Sequence, residues 1–286
     1  MRSMVRSVIA AGAVLTLAAA PPAASAAAAP PEGAYWRTRI IMEWSNSHRF
    51  GTKAHPYRLS ERLVAEKWAT PDGRFWSGSR HLGARQAGPA DEKAWRRDGS
   101  PATWNKTIDG KTVKLSAKPA HGHVTPERER NQFSLAGQRL TYDEVQRLPA
   151  DPRRLKDWLS QAGRVRKIAE NQMNSWVQGN LEKLLFDLPV PKEVRAGAYR
   201  LLLTLPGARA AGQAKDALGR TGAAVVITWA EGESSGTQRF IIDTGRMVPL
   251  SFENIRKDGA GPADRTTTTL VEAGWTDTPP AVPALP

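Results

Sequence analysis

TYDEVQRLPADPRRLKDWLSQAGRVRKIAENQMNSWVQGNLEKLLFDLPVPKEVRAGAYRLLLTLPG, residues 141–207, holds the only strong helical signals outside the N-terminal leader, and its reading decides the fold. Thr141 and Glu144 spell a capping box, in which hydroxyl and carboxylate each satisfy an orphan amide of the first turn. Asp151-Pro152 gives a second start, a carboxylate acceptor followed by a residue with no N–H to waste. Pro191-Lys192-Glu193 gives a third, closed by Pro206-Gly207. In the middle helix Val165, Ile168, Ala169, Met173, Trp176, Val177, Leu181, Leu184 and Leu185 recur at three- and four-residue steps. The third repeats this with Val194, Ala198, Leu201, Leu202 and Leu205. Each apolar stripe demands a cover, and apparent strands lie on both sides of the stretch.

Upstream, Ala34 to Trp44 alternates. Trp36, Thr38, Ile40, Met42 and Trp44 share one face, and Tyr35, Arg37, Arg39 and Glu43 the other, as in an antiparallel strand with one wet side. Arg58–Trp68 puts Leu59, Leu63 and Ala65 on a common face, and Asp72-Gly73 turns it back through Arg74–His81 as a hairpin. Residues 83–126 show turn chemistry in pieces, at Asp98-Gly99 and Asp109-Gly110, with a short strand at Thr112–Ser116. Downstream, Ala208–Ala214 leads to Thr221–Ala230, apolar on both faces and therefore expected as a central, doubly covered strand. Gln238–Asp243 and Arg246–Phe252 form a hairpin through Asp243-Thr244-Gly245, with positive φ assigned to the glycine. Thr266–Trp275 is a last strand, and the Pro/Ala-rich 279–286 is a tail with no core of its own.

Strands, helices, then strands joined by short turns imply an α+β class: a curved antiparallel sheet, an open half-barrel, wrapping a helical plug inserted mid-chain. The chain of 286 residues, 40% hydrophobic, is long enough for one large core. Residues 1–28 read as a cleavable signal peptide: Arg2 and Arg6 in the n-region, a short apolar run from Val8 to Ala20, and Ala24-Ser25-Ala26 at the cleavage position. Residues 29–34 are then a short linker, 35–278 a single domain and 279–286 the tail. Cysteine is absent, so the exported chain folds without disulfides. The formal charge is +13, and 13 less the two leader arginines leaves +11 on the mature chain. In an exported protein that excess suits anionic envelope polymers or lipid headgroups and disfavours nucleic acid as a partner, although a merely solvated basic surface accounts for it equally well.

Thr141-Tyr142-Asp143-Glu144, Leu148-Pro149-Ala150-Asp151-Pro152, Leu155, Pro191–Ala196 and Tyr199 resemble a family of actinobacterial exported or membrane-anchored proteins of unknown function. The likeness continues through Leu205-Pro206-Gly207, Asp216–Gly222, Ile241-Ile242-Asp243, Gly245-Arg246 and Ala273–Asp277. It implies a domain over roughly residues 35–277, often encoded near sigma factors, with no assigned catalytic residue. The order of elements is also similar to the half-barrels of the lipoprotein carrier LolA and the sigma-factor regulator RseB, at fold level only.

Chemical motifs are sparse. Gly232-Glu233-Ser234-Ser235-Gly236 matches the Gly-x-Ser-x-Gly elbow of serine hydrolases, but that elbow runs from strand to helix and this one lies between strands. His121-Gly122-His123 lacks the third ligand that zinc requires, so no metal or other cofactor is expected. Glu144 and Asp151 are consumed as helix caps. The ten tryptophans are the main excess. Trp158, Trp176 and Trp229 have apolar neighbours and suit core packing, whereas Trp36, Met42 and Trp44 share a face that could line a groove between sheet and helices. The expectation is a non-enzymatic, extracytoplasmic binding module for a lipid or other amphiphilic envelope ligand, with Trp36, Met42, Trp44, Trp229 and Trp176 as groove residues. The alternatives are a regulatory domain contacting an anti-sigma factor or another envelope protein and, more remotely, a hydrolase built on Ser234.

Overall fold

Strand formation begins at Tyr35, opposite Thr276, and from Trp36 onward the chain meets partners on both sides. The computed structural model describes residues 31–108, 110–127, 133–259 and 263–286, so the signal-peptide reading of residues 1–28 and the role of Asp109 lie outside the described residues. The elements in chain order are β1 (Tyr35–Phe50), β2 (Tyr57–Ala69), β3 (Phe75–Gln86), α1 (Pro89–Arg97), β4 (Thr103–Ile108), β5 (Lys111–Ser116), β6 (His123–Glu127), β7 (Phe133–Leu135) and β8 (Gln138–Leu140). Then follow α2 (Tyr142–Gln146), α3 (Pro152–Val165), α4 (Met173–Phe186) and α5 (Lys192–Leu202). The chain closes with β9 (Ala208–Lys215), β10 (Thr221–Glu231), β11 (Ser234–Asp243), β12 (Val248–Asp258) and β13 (Asp264–Thr276).

Nine strands form one antiparallel sheet in the order β6-β3-β2-β1-β13-β12-β11-β10-β9, with β4-β5 and β7-β8 as separate hairpins. The edges β6 and β9 do not pair with each other, so the sheet is open. The first and last long strands meet at its centre, with Trp36 opposite Trp275 and Met42 opposite Thr268. That closure ties the strands before the helical insert to those after it.

The helical stripes find their cover on one face of this sheet. Val145, Leu155, Leu159, Val177, Leu181, Leu184, Val194, Ala198 and Leu201 are in one buried cluster with Val225, Ile227, Phe240, Ile242, Phe252 and Leu270 from the strands. Burying each such side chain contributes about 1.5–3 kcal/mol, so helices and sheet stabilise each other rather than forming separate units. A second cluster, Phe50, Tyr57, Leu59, Ala84 and Trp104, sits under α1 and the β4-β5 hairpin. The caps are formed as the sequence requires: Glu144 N–H donates to Thr141 Oγ1 at 3.2 Å, Thr141 N–H donates to Glu144 Oε2 at 2.8 Å, and Asp151 Oδ1 accepts from Arg153 and Arg154.

Five expectations need correction. The middle helix is two helices, α3 and α4, separated by a turn in which Lys167 takes φ +60° and Ile168 N–H returns to Gly163 O. Gly163 permits the resulting hairpin, since a Cβ there would lie 2.8 Å from Met173 Sδ and 2.9 Å from Trp176 Nε1; Val165, counted in the stripe, is 68% exposed. A further helix, α1, occupies part of the stretch expected to be turns; Pro89 starts it, Asp91 and Glu92 fill its first turn and Arg96 and Arg97 its last, which suits the helix dipole. Gly245 does not carry the positive φ of its hairpin; Met247 does, at 53°, while Asp243 Oδ1 accepts the Gly245 and Arg246 amides. The doubly buried β10 is next to the edge, not central. Finally, the charged face of β1 is not wet throughout: Arg39 is only 8% exposed and donates to the carbonyl of Ala284 in the tail.

Candidate functional site

Alternation along each strand sends Trp36, Ile40, Ile242, Phe252 and Leu270 to the helices, so their neighbours point to the opposite, helix-free face. There Ile41 and Glu43 of β1, Ser60 and Arg62 of β2, Arg239 and Ile241 of β11, Ser251 and Glu253 of β12, and Arg265, Thr267 and Thr269 of β13 line a trough of about 660 Å³. The turn Lys215–Leu218 lines it as well, as do Arg85, Ala87 and Pro286. This volume falls in the range of small-molecule sites, roughly 300–1,000 Å³.

The floor mixes aliphatic and hydroxyl groups: Ile41 and Ile241 beside Ser60, Ser251 and Thr269, the last three buried. The walls are basic. Glu253, its side chain 8% exposed, receives both Arg239 Nη2 at 3.1 Å and Arg265 Nη2, so one carboxylate faces two guanidiniums. Arg85 is paired with Glu43 at 2.5 Å. Arg62, opposite Glu43 across β1 and β2, forms no ion pair among the described residues, and its Nε is buried without a hydrogen-bond partner there, as is that of Arg239. Leaving such buried donors unpaired is costly. Asp216 is already neutralised by Arg220, whose Nη2 also reaches the carbonyls of Leu250 (3.1 Å) and Leu270 (2.5 Å) and pins the turn that walls the trough.

The five residues expected to form a groove are not brought together. Trp36 packs into the main core, donates from Nε1 to Asp187 O at 3.1 Å and lies edge-on to Trp275 at 5.8 Å. The cavity beside it, where sheet and helices meet, holds about 40 Å³, room for water but not for an acyl chain. Trp44 is eight residues along β1, about 26 Å away at ~3.3 Å per residue, edge-on to His81 at 6.1 Å; Met42 is half-buried opposite Leu63 and Thr268. Trp176 is tied to α3 through Leu159 O at 3.3 Å. Trp229 lies against Gly236 on the neighbouring strand, where a Cβ would come within 2.5 Å of its indole. That contact also explains the last glycine of the Gly-x-Ser-x-Gly run. Ser234 itself begins a strand and its Oγ donates to Asp258 Oδ1 at 2.6 Å, in exposed surroundings. His123 Nε2 is 3.4 Å from Ser79 Oγ, and among the described residues no group of three or more His, Asp or Glu is placed to hold a metal ion.

The trough residues escaped sequence analysis because no motif joins them. Their signal was the charged half of alternating strands, Arg239 beside Phe240 and Glu253 beside Phe252. Which of these positions converge depends on the strand order.

Fold and site together define an open antiparallel α+β domain with helices on one face and a basic trough on the other. No family model matches the chain, and no curated protein matches it. Among solved structures it is similar to a beta-barrel-like protein of the domain of unknown function DUF1849 from Brucella abortus, over 87% of this chain and 100% of that one, at 10% identity and a TM-score of 0.20. A likeness that slight adds nothing to the architecture given by the strand order, and the described residues form no closed barrel.

Proposed function

We propose that this chain is a non-enzymatic, extracytoplasmic binding module, an open half-barrel around a helical plug in the manner of LolA and RseB, that takes an anionic amphiphile in the trough on the helix-free face. The observation that carries this reading is Arg62, a guanidinium in no ion pair among the described residues, in a recess of about 660 Å³ where two further arginines share Glu253. A phosphate or carboxylate head meets Arg62, and the apolar part of the ligand lies along Ile41, Ile241 and the half-exposed Leu218. The tryptophans, in this reading, are core and strand-packing residues rather than lining. The export assignment rests on the leader sequence.

Calorimetric titration of the full chain with short-chain phosphatidylglycerol and, separately, phosphatidylcholine tests the reading. Saturable binding of the anionic lipid alone is expected. Arg62→Gln weakens it roughly tenfold or more, since a hydrogen bond to a charged group contributes about 1.5–3 kcal/mol. Equal heats from both lipids, or none from either, overturn it.

A further inference from the structure

The last eight residues, Pro279–Pro286, contain four prolines and were expected to have no core of their own. They instead lie on the helix-free face of β1–β3. Pro283 is buried over Gly78, where a Cβ would come 3.1 Å from both Pro283 Cδ and the Trp68 ring. Val282 lies on Gly122, where a Cβ would come 2.6 Å from its Cγ1. Arg39 Nη2 donates to Ala284 O at 2.6 Å, and Leu285 borders a recess with Arg80 and His121. Two glycines thus make a floor, an indole makes a wall, and an arginine grips the carbonyl that follows the proline.

We propose that this surface is a docking groove for an extended apolar segment of the pattern aliphatic-Pro-small-aliphatic on a partner protein, and that Val282-Pro283-Ala284-Leu285 occupies it in cis. Proline suits such burial because it brings no amide N–H that would need a partner, and its fixed φ lowers the entropy lost on docking. Trp68, only 2% exposed, presents its benzo edge to Gly78 and so closes one side of the groove. A tethered tail acts at an effective concentration in the mM range, so a partner segment enters only by displacing it. The groove adjoins the trough, which Pro286 helps to line, but Gly78, Gly122, Trp68 and Arg39 are not among the trough's residues.

The test uses the full chain and a fluorescent peptide of the sequence Thr-Pro-Pro-Ala-Val-Pro-Ala-Leu-Pro, followed by anisotropy. Pro283→Glu puts a carboxylate where the ring is buried and releases the tail. The peptide is expected to saturate this variant at one per chain and to bind the native chain at least tenfold more weakly. Adding Gly78→Val should abolish binding. Because the native chain has no cysteine, Gly122→Cys with Val282→Cys provides a lock without altering Pro283: the oxidised form should exclude the peptide and the reduced form should admit it at high concentration. Absence of saturable binding to both the Pro283→Glu chain and the reduced double variant overturns the proposal. So does a concentration-dependent dimer of the native chain that the peptide dissociates, because the occupant is then a second copy.

Discussion

Arg39 and Glu66 form a buried ion pair across β1 and β2, Nη1 to Oε1 at 2.5 Å, with side chains 10% and 2% exposed. Glu66 also accepts Arg37 Nε at 2.8 Å. One carboxylate therefore compensates two guanidiniums on the helix-free face, close to the point where the tail crosses. Removing it leaves buried Arg39 without a carboxylate and Arg37 with only the exposed Glu272 at 3.6 Å, and breaking a buried pair in this way costs about 3–5 kcal/mol. Glu66→Ala should lower stability by that order in urea unfolding, whereas Glu66→Gln with Arg39→Met should recover part of the loss. Equal losses from the single and double changes would mean that the pair is not the stabilising unit.

Glu182 on α4 is pushed up to about 7, chiefly by burial and further by the Asp187 carboxylate. Its ordinary value is 4.5, so the fold favours the protonated form. Between these values the native state holds more protons than the unfolded chain, and stability falls as pH rises. The contribution is complete below about 4.5 and lost through about 7, up to roughly 3 kcal/mol at 1.36 kcal/mol per unit. Glu182→Gln should flatten this part of the stability profile and be the more stable protein at pH 8. Parallel profiles for the two proteins from pH 5 to 8 would count against the assignment.

The helices were legible where a local rule dictated them. Thr141 and Asp151 cap because serine-like hydroxyls and carboxylates have few other ways to satisfy a first turn. The strand order was not legible, because pairing Trp36 with Trp275 depends on contacts some 240 residues apart. The break between α3 and α4 was hidden for a related reason. Ile168 and Ala169 continue an apolar period that the backbone abandons at Lys167, and only the packing of Met173 and Trp176 onto Gly163 explains why. The trough and the tail groove share that dependence: Arg62, Arg239 and Glu253 meet only through the sheet, as do Gly78, Gly122 and Pro283. The trough's chemistry was still foreshadowed in the basic charge, and the groove's in the prolines.

Two helical glycines should respond to alanine with opposite signs. Gly197 on α5 packs against the carbonyl of Ala150, where a Cβ would lie 2.2 Å from the oxygen, and that oxygen is backbone that cannot swing aside. Overpacking of this kind costs about 1–3 kcal/mol, more than the roughly 1 kcal/mol that alanine gains in helix propensity. Gly179 on α4 has nothing within 4 Å of the same position. Gly179→Ala should therefore stabilise by about 0.5–1 kcal/mol, and Gly197→Ala should destabilise. Thermal melts of the two variants check both signs at once.

Arg220 joins the turn that walls the trough to the middle of the sheet. Its Nε and Nη2 hold Asp216 Oδ2 at 2.8 and 2.6 Å, while Nη2 also meets the carbonyls of Leu250 and Leu270 just beyond the end of the β12-β13 ladder. Asp216 Oδ1 in turn accepts the amides of Leu218 and Arg220. A planar fork makes these contacts together; the single ammonium of lysine cannot. Arg220→Lys should cost about 1–3 kcal/mol from the carbonyls and carboxylate left partly unsatisfied. The larger effect should be local: faster hydrogen exchange at Asp216, Leu218 and Gly219, with the core amides of Val225 and Phe240 unchanged. If the trough is the binding site, the same variant should weaken phosphatidylglycerol binding without touching Arg62, because the Lys215–Leu218 wall then moves away from the ligand.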